Sequence, residues 1–176
     1  MTTRLLARAS TYAAAYVVLT LIAGAFGLAS GQVQFRISEA LLPFACVDPA
    51  AVVGFTLGTA VANGLTSSIG LPDIVFGSLL TLAATLVMRW VGPRALWRWG
   101  PRVVALAAPV VVNGFGVGAE LALILGLPFW PSVGFVALGE AVVLFTGGLL
   151  VLSLIRTHGR FFGLAPQPRP ERRTTS

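Results

Sequence analysis

Apolar residues run through this chain in long blocks, without the alternation of a half-buried strand or the narrow stripe of a soluble helix. Five blocks approach the ~20 residues that a helix needs to cross a bilayer. They cover residues 10–29, 49–65, 73–91, 103–127 and 132–155. A sixth block, 34–47, is shorter and carries Arg36 and Glu39. Turn chemistry separates the blocks. Asp48–Pro49 reads as an N-cap with a first-turn proline, Leu71–Pro72–Asp73 opens the next block, and Trp130–Pro131–Ser132 opens the last.

Whether block 34–47 crosses is decided by charge. Arginine and lysine collect in cytoplasmic loops. Arg4 and Arg8 precede the first block, and Arg89, Arg94, Arg98 and Arg102 fill the central connection. Arg156, Arg160, Arg169, Arg172 and Arg173 follow the last block. The connections near Ser30, Ser67 and Pro128 hold no basic residue. With five crossings, the central connection and the C-terminal region would both lie outside. With six, eleven of the twelve arginines are cytoplasmic and Arg36 stands alone on the other side. The expected fold is therefore an all-α membrane protein of six transmembrane helices with both termini cytoplasmic. Trp90, Trp97, Trp99 and Trp130 fall near the expected interfaces, where amphipathic rings prefer to sit.

Composition agrees. Of 176 residues, 56% are hydrophobic and 10% charged, against about 25% charged in a soluble domain. The net charge of +6 lies at the ends and in one loop, so it does not form a nucleic-acid-binding face. The single cysteine, Cys46, sits in an apolar run and reads as a structural thiol. Arg4 and Arg8 ahead of residues 12–29 also fit a signal peptide, but the stretch is long enough to span and the apolar pattern continues. Residues 1–160 are expected to form the transmembrane domain. Residues 161–176, rich in Pro, Arg and Thr, are expected to be a disordered cytoplasmic tail.

Ionisable residues within a membrane are costly and mark function. The candidates are Arg36, Glu39, Asp73, Glu120 and Glu140, with Asn63 and Asn113 beside them. At ~1.5 Å per residue all of them fall in the outer half of the expected bundle, with Glu140 about 14 Å below the surface. This asymmetry points to a pocket open to the outside. Asn113 and Glu120, seven apart, share one helix face. Gly114, Gly116 and Gly118 let another backbone or a flat ligand approach. Plainer roles are available for some of these residues. Arg36 and Glu39 have the spacing to neutralise each other, Asp73 has the position of a helix cap, and Asn63 can bridge helices. Glu120 and Glu140 have no local cation. Carboxylates that outnumber the single outer arginine imply a cationic or donor-rich ligand, or raised pKa values.

Several chemistries are absent. The chain has no lysine, hence no P-loop for ATP. Its one histidine, His158, lies past the last block, far from the acidic positions, and no His/Cys metal-ligand spacing occurs. Nothing calls for a cofactor. Three functions remain open on these grounds: a substrate-binding subunit of an importer, a stand-alone carrier, and an intramembrane enzyme built on carboxylates.

The run Gln34-Phe-Arg-Ile-Ser-Glu-Ala-Leu-Leu-Pro-Phe44 resembles a hallmark of the queuosine-precursor transporter (QueT) family. So does Gly70-Leu-Pro-Asp-Ile-Val-Phe-Gly-Ser-Leu-Leu-Thr-Leu82, and Asn113, Glu120 and Gly139-Glu140 follow in order. That family is similar to the S-components of energy-coupling-factor importers of bacterial cytoplasmic membranes. The resemblance implies six helices and a ligand of the 7-deazaguanine type bound on the extracellular side. It also implies work alongside a transmembrane coupling protein and two cytoplasmic ATPases, and no enzymatic activity. Ala9 and Ala13 match the small-residue spacing with which S-components dock the coupling protein. Phe35, Phe76 and Phe115 are candidates to stack on a flat ring.

Overall fold

The structure is a computed structural model that describes residues 2–27 and 35–164. Every regular element among them is helical. Helix α1 (Thr3–Ala25) is followed by a 3₁₀ segment (Ile37–Cys46), α2 (Pro49–Thr66) and α3 (Leu71–Val91). A single turn, α4 (Arg94–Trp97), leads into α5 (Trp99–Leu125). Helix α6 (Phe129–Val143) continues through a π-helical turn (Leu144–Gly148) into α7 (Leu149–His158). Five stretches are long and apolar enough to cross a membrane: α1, α2, α3, α5 and the continuous run Phe129–His158. Ile37–Cys46 adds a shorter apolar helix. Large apolar side chains such as Leu79, Leu86, Leu123 and Leu138 point outward, more than half exposed. A soluble protein would bury such a girdle, whereas a bilayer covers it.

The short segment runs through the bundle as a sixth apolar element. It runs antiparallel to α1, with Thr20 bonded to Ser38, Tyr16 to Glu39 and Arg8 to Asp48. Those contacts extend along α1 for about 18 Å at ~1.5 Å per residue. A 3₁₀ helix rises ~2.0 Å per residue, so ten residues cover a comparable depth. Pro43 lies inside the segment, lacks an N–H, and would clash with the Glu39 carbonyl in an α-helix. At its far end Asp48 caps α2 by accepting from the Ala50 N–H at 3.0 Å, with Pro49 in the first turn, as its sequence position indicates.

Arginines gather at that end. Arg8 bonds the Gly163 carbonyl at 3.1 Å, Arg89 bonds the Cys46 carbonyl at 3.1 Å, and Arg156 sits 4.8 Å from the Trp97 ring centroid. The start of α1, the end of the 3₁₀ segment, the α3–α5 connection and the end of α7 thus share one end of the bundle. Residues 161–164, assigned above to a disordered tail, fold back against it: Phe162 packs edge-on to Phe44 at 5.2 Å and Leu164 is buried. Residues 165–176, the rest of that expected tail, lie outside the described residues.

Small residues set the helix spacing. A side chain on Gly54 would stand 2.6 Å from the Ala9 carbonyl, and one on Gly58 would stand 3.1 Å from the Ala13 backbone. Ala9 and Ala13 therefore face α2. Ala9 is only 4% exposed, so close packing inside the chain accounts for its size and takes it off any outward docking face. The outward side of α1 instead carries Ala7, Ser10, Thr11 and Ala14. Likewise, a side chain on Gly114 would lie 3.1 Å from Ala137, and one on Gly118 would lie 3.0 Å from the Val133 backbone. These glycines admit a neighbouring helix, α6, and bring it against α5.

Gly54→Ala is expected to destabilise the protein by about 1–3 kcal/mol, because the added methyl meets a backbone carbonyl that cannot step aside. Thermal unfolding in detergent measures this. An unchanged midpoint would show that α1 and α2 are not held at this spacing.

Candidate functional site

The end of the bundle opposite the arginine-rich one holds a polar cluster. Arg36 immediately precedes the 3₁₀ segment, and its guanidinium lies 3.8 Å from the Asp73 carboxylate in the first turn of α3. Asn63, near the end of α2, donates to the Asp73 carbonyl at 2.8 Å and its carboxylate at 3.1 Å. A cavity of about 110 Å³ opens here, lined by Thr20, Phe35, Arg36, Asn63, Ser67 and Asp73 among others. Asp73 does not cap α3. Gly70 holds the cap position with no side-chain bond, and the Asp73 carboxylate is turned to Asn63 and Arg36.

Deeper in the bundle lie three carboxylates. Glu39 is fully buried and accepts from the Tyr16 hydroxyl at 2.6 Å. Glu140, on α6, accepts from Asn113 of α5 at 3.1 Å, and both are buried. Glu120, on α5, is 5% exposed. Arg36 lies within Coulombic reach of Glu39, Glu140 and Asp73, and Glu120 lies within reach of Arg36 and Asp73. One guanidinium thus serves four acids on four different elements. Arg36 and Glu39 do not form the closed local pair that their spacing allows, since Glu39 is bonded to Tyr16 and Arg36 leans towards Asp73.

Burial leaves polar atoms unpaired. Glu39 Oε2, Glu140 Oε2, both Glu120 oxygens, Asn113 Oδ1 and Arg36 Nη1 make no hydrogen bond among the described residues. A buried acceptor without a donor costs about 1–3 kcal/mol. So many in one region, acceptors outnumbering donors, suit a ligand rich in N–H groups.

The sequence-marked residues meet unequally. Arg36, Asn63, Asp73 and Phe35 line the cavity, while Glu39, Asn113, Glu120 and Glu140 form the inner layer. Phe76 and Phe115 are at least half exposed on the outside of the bundle and cannot stack on anything inside it. Sequence reasoning missed Tyr16, Thr20, Ser38, and the buried Thr59–Thr81 bond at 3.1 Å. Tyr12 and Tyr16, one turn apart on α1, were the available signal. A buried tyrosine hydroxyl needs a partner, and here each finds an acid, Asp48 and Glu39.

Apolar crossings that enclose a charged cavity at one end define a multi-pass membrane protein. The model of the QueT transporter family matches residues 6–157, and the chain belongs to that family. It is a transporter protein and not an enzyme. A relative named Queuosine precursor transporter QueT, from Lactococcus lactis subsp. cremoris (strain MG1363), is 28% identical over 148 residues. The match covers 81% of this chain and 86% of that one. No solved structure matches the chain.

Tyr16→Phe is expected to cost about 1–3 kcal/mol, because the Glu39 carboxylate then keeps its burial and loses its donor. Chemical denaturation in detergent reads the loss. Stability equal to the parent would mean that Glu39 does not depend on Tyr16.

Proposed function

We propose that this chain is the membrane substrate-binding subunit of an ATP-driven importer and takes up a queuosine precursor of the 7-deazaguanine type. The observation that carries this reading is the excess of buried acceptors around one arginine. A guanine-like edge presents adjacent N–H donors, which a single carboxylate accepts in a paired geometry. We assign that role to Glu120, whose two oxygens both lack donors, and to Glu140, which keeps one; Glu39 also keeps one but is tied to Tyr16. An aminomethyl substituent would bring a cation to a site where acids outnumber the guanidinium, and Phe35 would stack at the cavity wall. The cavity, about 110 Å³, is smaller than the ~150 Å³ that admits benzene, so a bicyclic ring would enter only if side chains at the cavity wall moved apart.

The chain has no lysine and no ATP-binding motif, so the energy would come from elsewhere. In this reading a transmembrane coupling protein and two cytoplasmic ATPases supply it, at the arginine-rich end, in a bacterial cytoplasmic membrane. The coupling protein would meet the outward small-residue side of α1, Ala7, Ser10, Thr11 and Ala14, where backbones can approach closely. The polar cluster would then open to the extracellular side, consistent with the positive-inside rule.

Titration of the purified protein with 7-aminomethyl-7-deazaguanine and its 7-cyano counterpart tests the ligand. Tighter binding of the amine is expected. Glu140→Gln and Glu120→Gln should each weaken it by roughly tenfold to over a hundredfold, the equivalent of about 1–3 kcal/mol. Unchanged affinity in both variants would move the site away from these carboxylates. Failure to bind either compound would overturn the ligand assignment.

A further inference from the structure

A second concave site lies at the other end of the molecule. A groove of about 340 Å³ opens between the end of α3 and the start of α5, lined by Trp90, Val91, Arg94, Pro101 and Val104. Gly92, at φ 63°, turns the chain here and lets α4 step aside from the α3 axis. The lining is apolar apart from the Arg94 guanidinium. Trp90 is 78% exposed, and Val104 beside it is also open to the outside. Trp90 is the penultimate residue of a 21-residue helix, which is about 31 Å long and matches the hydrocarbon thickness. The groove mouth therefore sits where acyl chains meet headgroups, the depth that tryptophan prefers.

The charges around the groove are unequally employed. Arg102 is spent on the Ala95 and Leu96 carbonyls at 3.0 and 2.8 Å, which ties α4 to α5. Arg89 bonds Cys46 and Arg156 covers Trp97. Arg94 makes a single long contact, 3.4 Å to the Val91 carbonyl, and is otherwise exposed over the groove. No acidic residue occurs between Asp73 and Glu120, so nothing along this stretch of chain balances its charge.

We infer that this groove is a binding site for an anionic phospholipid, its phosphate on Arg94 and one acyl chain along Trp90, Pro101 and Val104. An apolar trough at interface depth with one free guanidinium at its mouth complements that ligand's shape and charge. A zwitterionic lipid would place a cationic headgroup beside the same arginine. A soluble anion would leave the apolar trough uncovered.

The test uses the full chain in phosphatidylcholine vesicles, with a minor fraction of either phosphatidylglycerol or phosphatidylcholine carrying brominated acyl chains. Brominated phosphatidylglycerol should quench tryptophan fluorescence severalfold more than brominated phosphatidylcholine at equal fraction. The excess should vanish in Arg94→Gln and in Trp90→Phe, persist in Arg94→Lys, and survive added inorganic phosphate. Val104→Trp, which fills the trough, should reduce phosphatidylglycerol retained through purification. Equal quenching by the two lipids would overturn the proposal, as would an excess indifferent to Arg94→Gln or still present in Trp90→Phe. Equal quenching together with a protein cross-linked at the groove would assign it to a protein partner instead.

Discussion

Arg36 is the charge on which the polar end of this molecule depends. A bilayer offers no water to solvate an ion, so every buried carboxylate must find a donor, a cation or a proton. Asp73, Glu39, Glu140 and Glu120 come from α3, the 3₁₀ segment, α6 and α5; Asp73 approaches this guanidinium to 3.8 Å and the other three lie within its Coulombic reach. Asn63, Tyr16 and Asn113 each add one donor side chain to a different acid. The set remains short of donors and of positive charge. In the function proposed above, a ligand that brings both would complete the cluster.

Helix packing brings these groups together. Gly114 and Gly118 let α6 close on α5, which places Glu140 against Asn113. Gly54 and Gly58 let α2 close on α1, while the 3₁₀ segment carries Glu39 to Tyr16. The two departures from α-helical winding meet: a side chain on Gly147 of the π turn would stand 2.8 Å from Ala40 of the 3₁₀ segment. Glu39 adjoins that contact, and Glu140 lies seven residues before Gly147 on the same helical run. Of the four acids, only Glu39 lies within irregular winding; Asp73, Glu120 and Glu140 lie on regular α-helix.

Much of this was legible in the sequence. Long apolar blocks gave the crossings, and the arginine distribution required the short block to cross, which the Tyr16–Glu39 and Arg8–Asp48 contacts bear out. The polar candidates were found because an ionisable residue in an apolar block stands out. Their partners were not legible, because pairing depends on helix rotation and depth. Spacing suggested Arg36 with Glu39, yet Tyr16 from another helix reaches Glu39 first. Asp73 had the position of a cap and bonds across to α2 instead. Ala9 and Ala13 had the spacing of a docking face, but the same small residues serve internal packing, and only the rotation of α1 tells the two apart.

The central claim is that Arg36 and the acids form one electrostatic unit. A double-mutant cycle measures it most directly, through unfolding free energies of Arg36→Gln, Asp73→Asn and the combination in detergent. Arg36→Gln should cost about 3–5 kcal/mol, since it leaves carboxylates buried without their cation. The combined variant should then recover part of that loss, with a coupling energy well above the few tenths expected of independent sites. Losses that add without coupling would show that Arg36 and Asp73 act separately and would contradict this account.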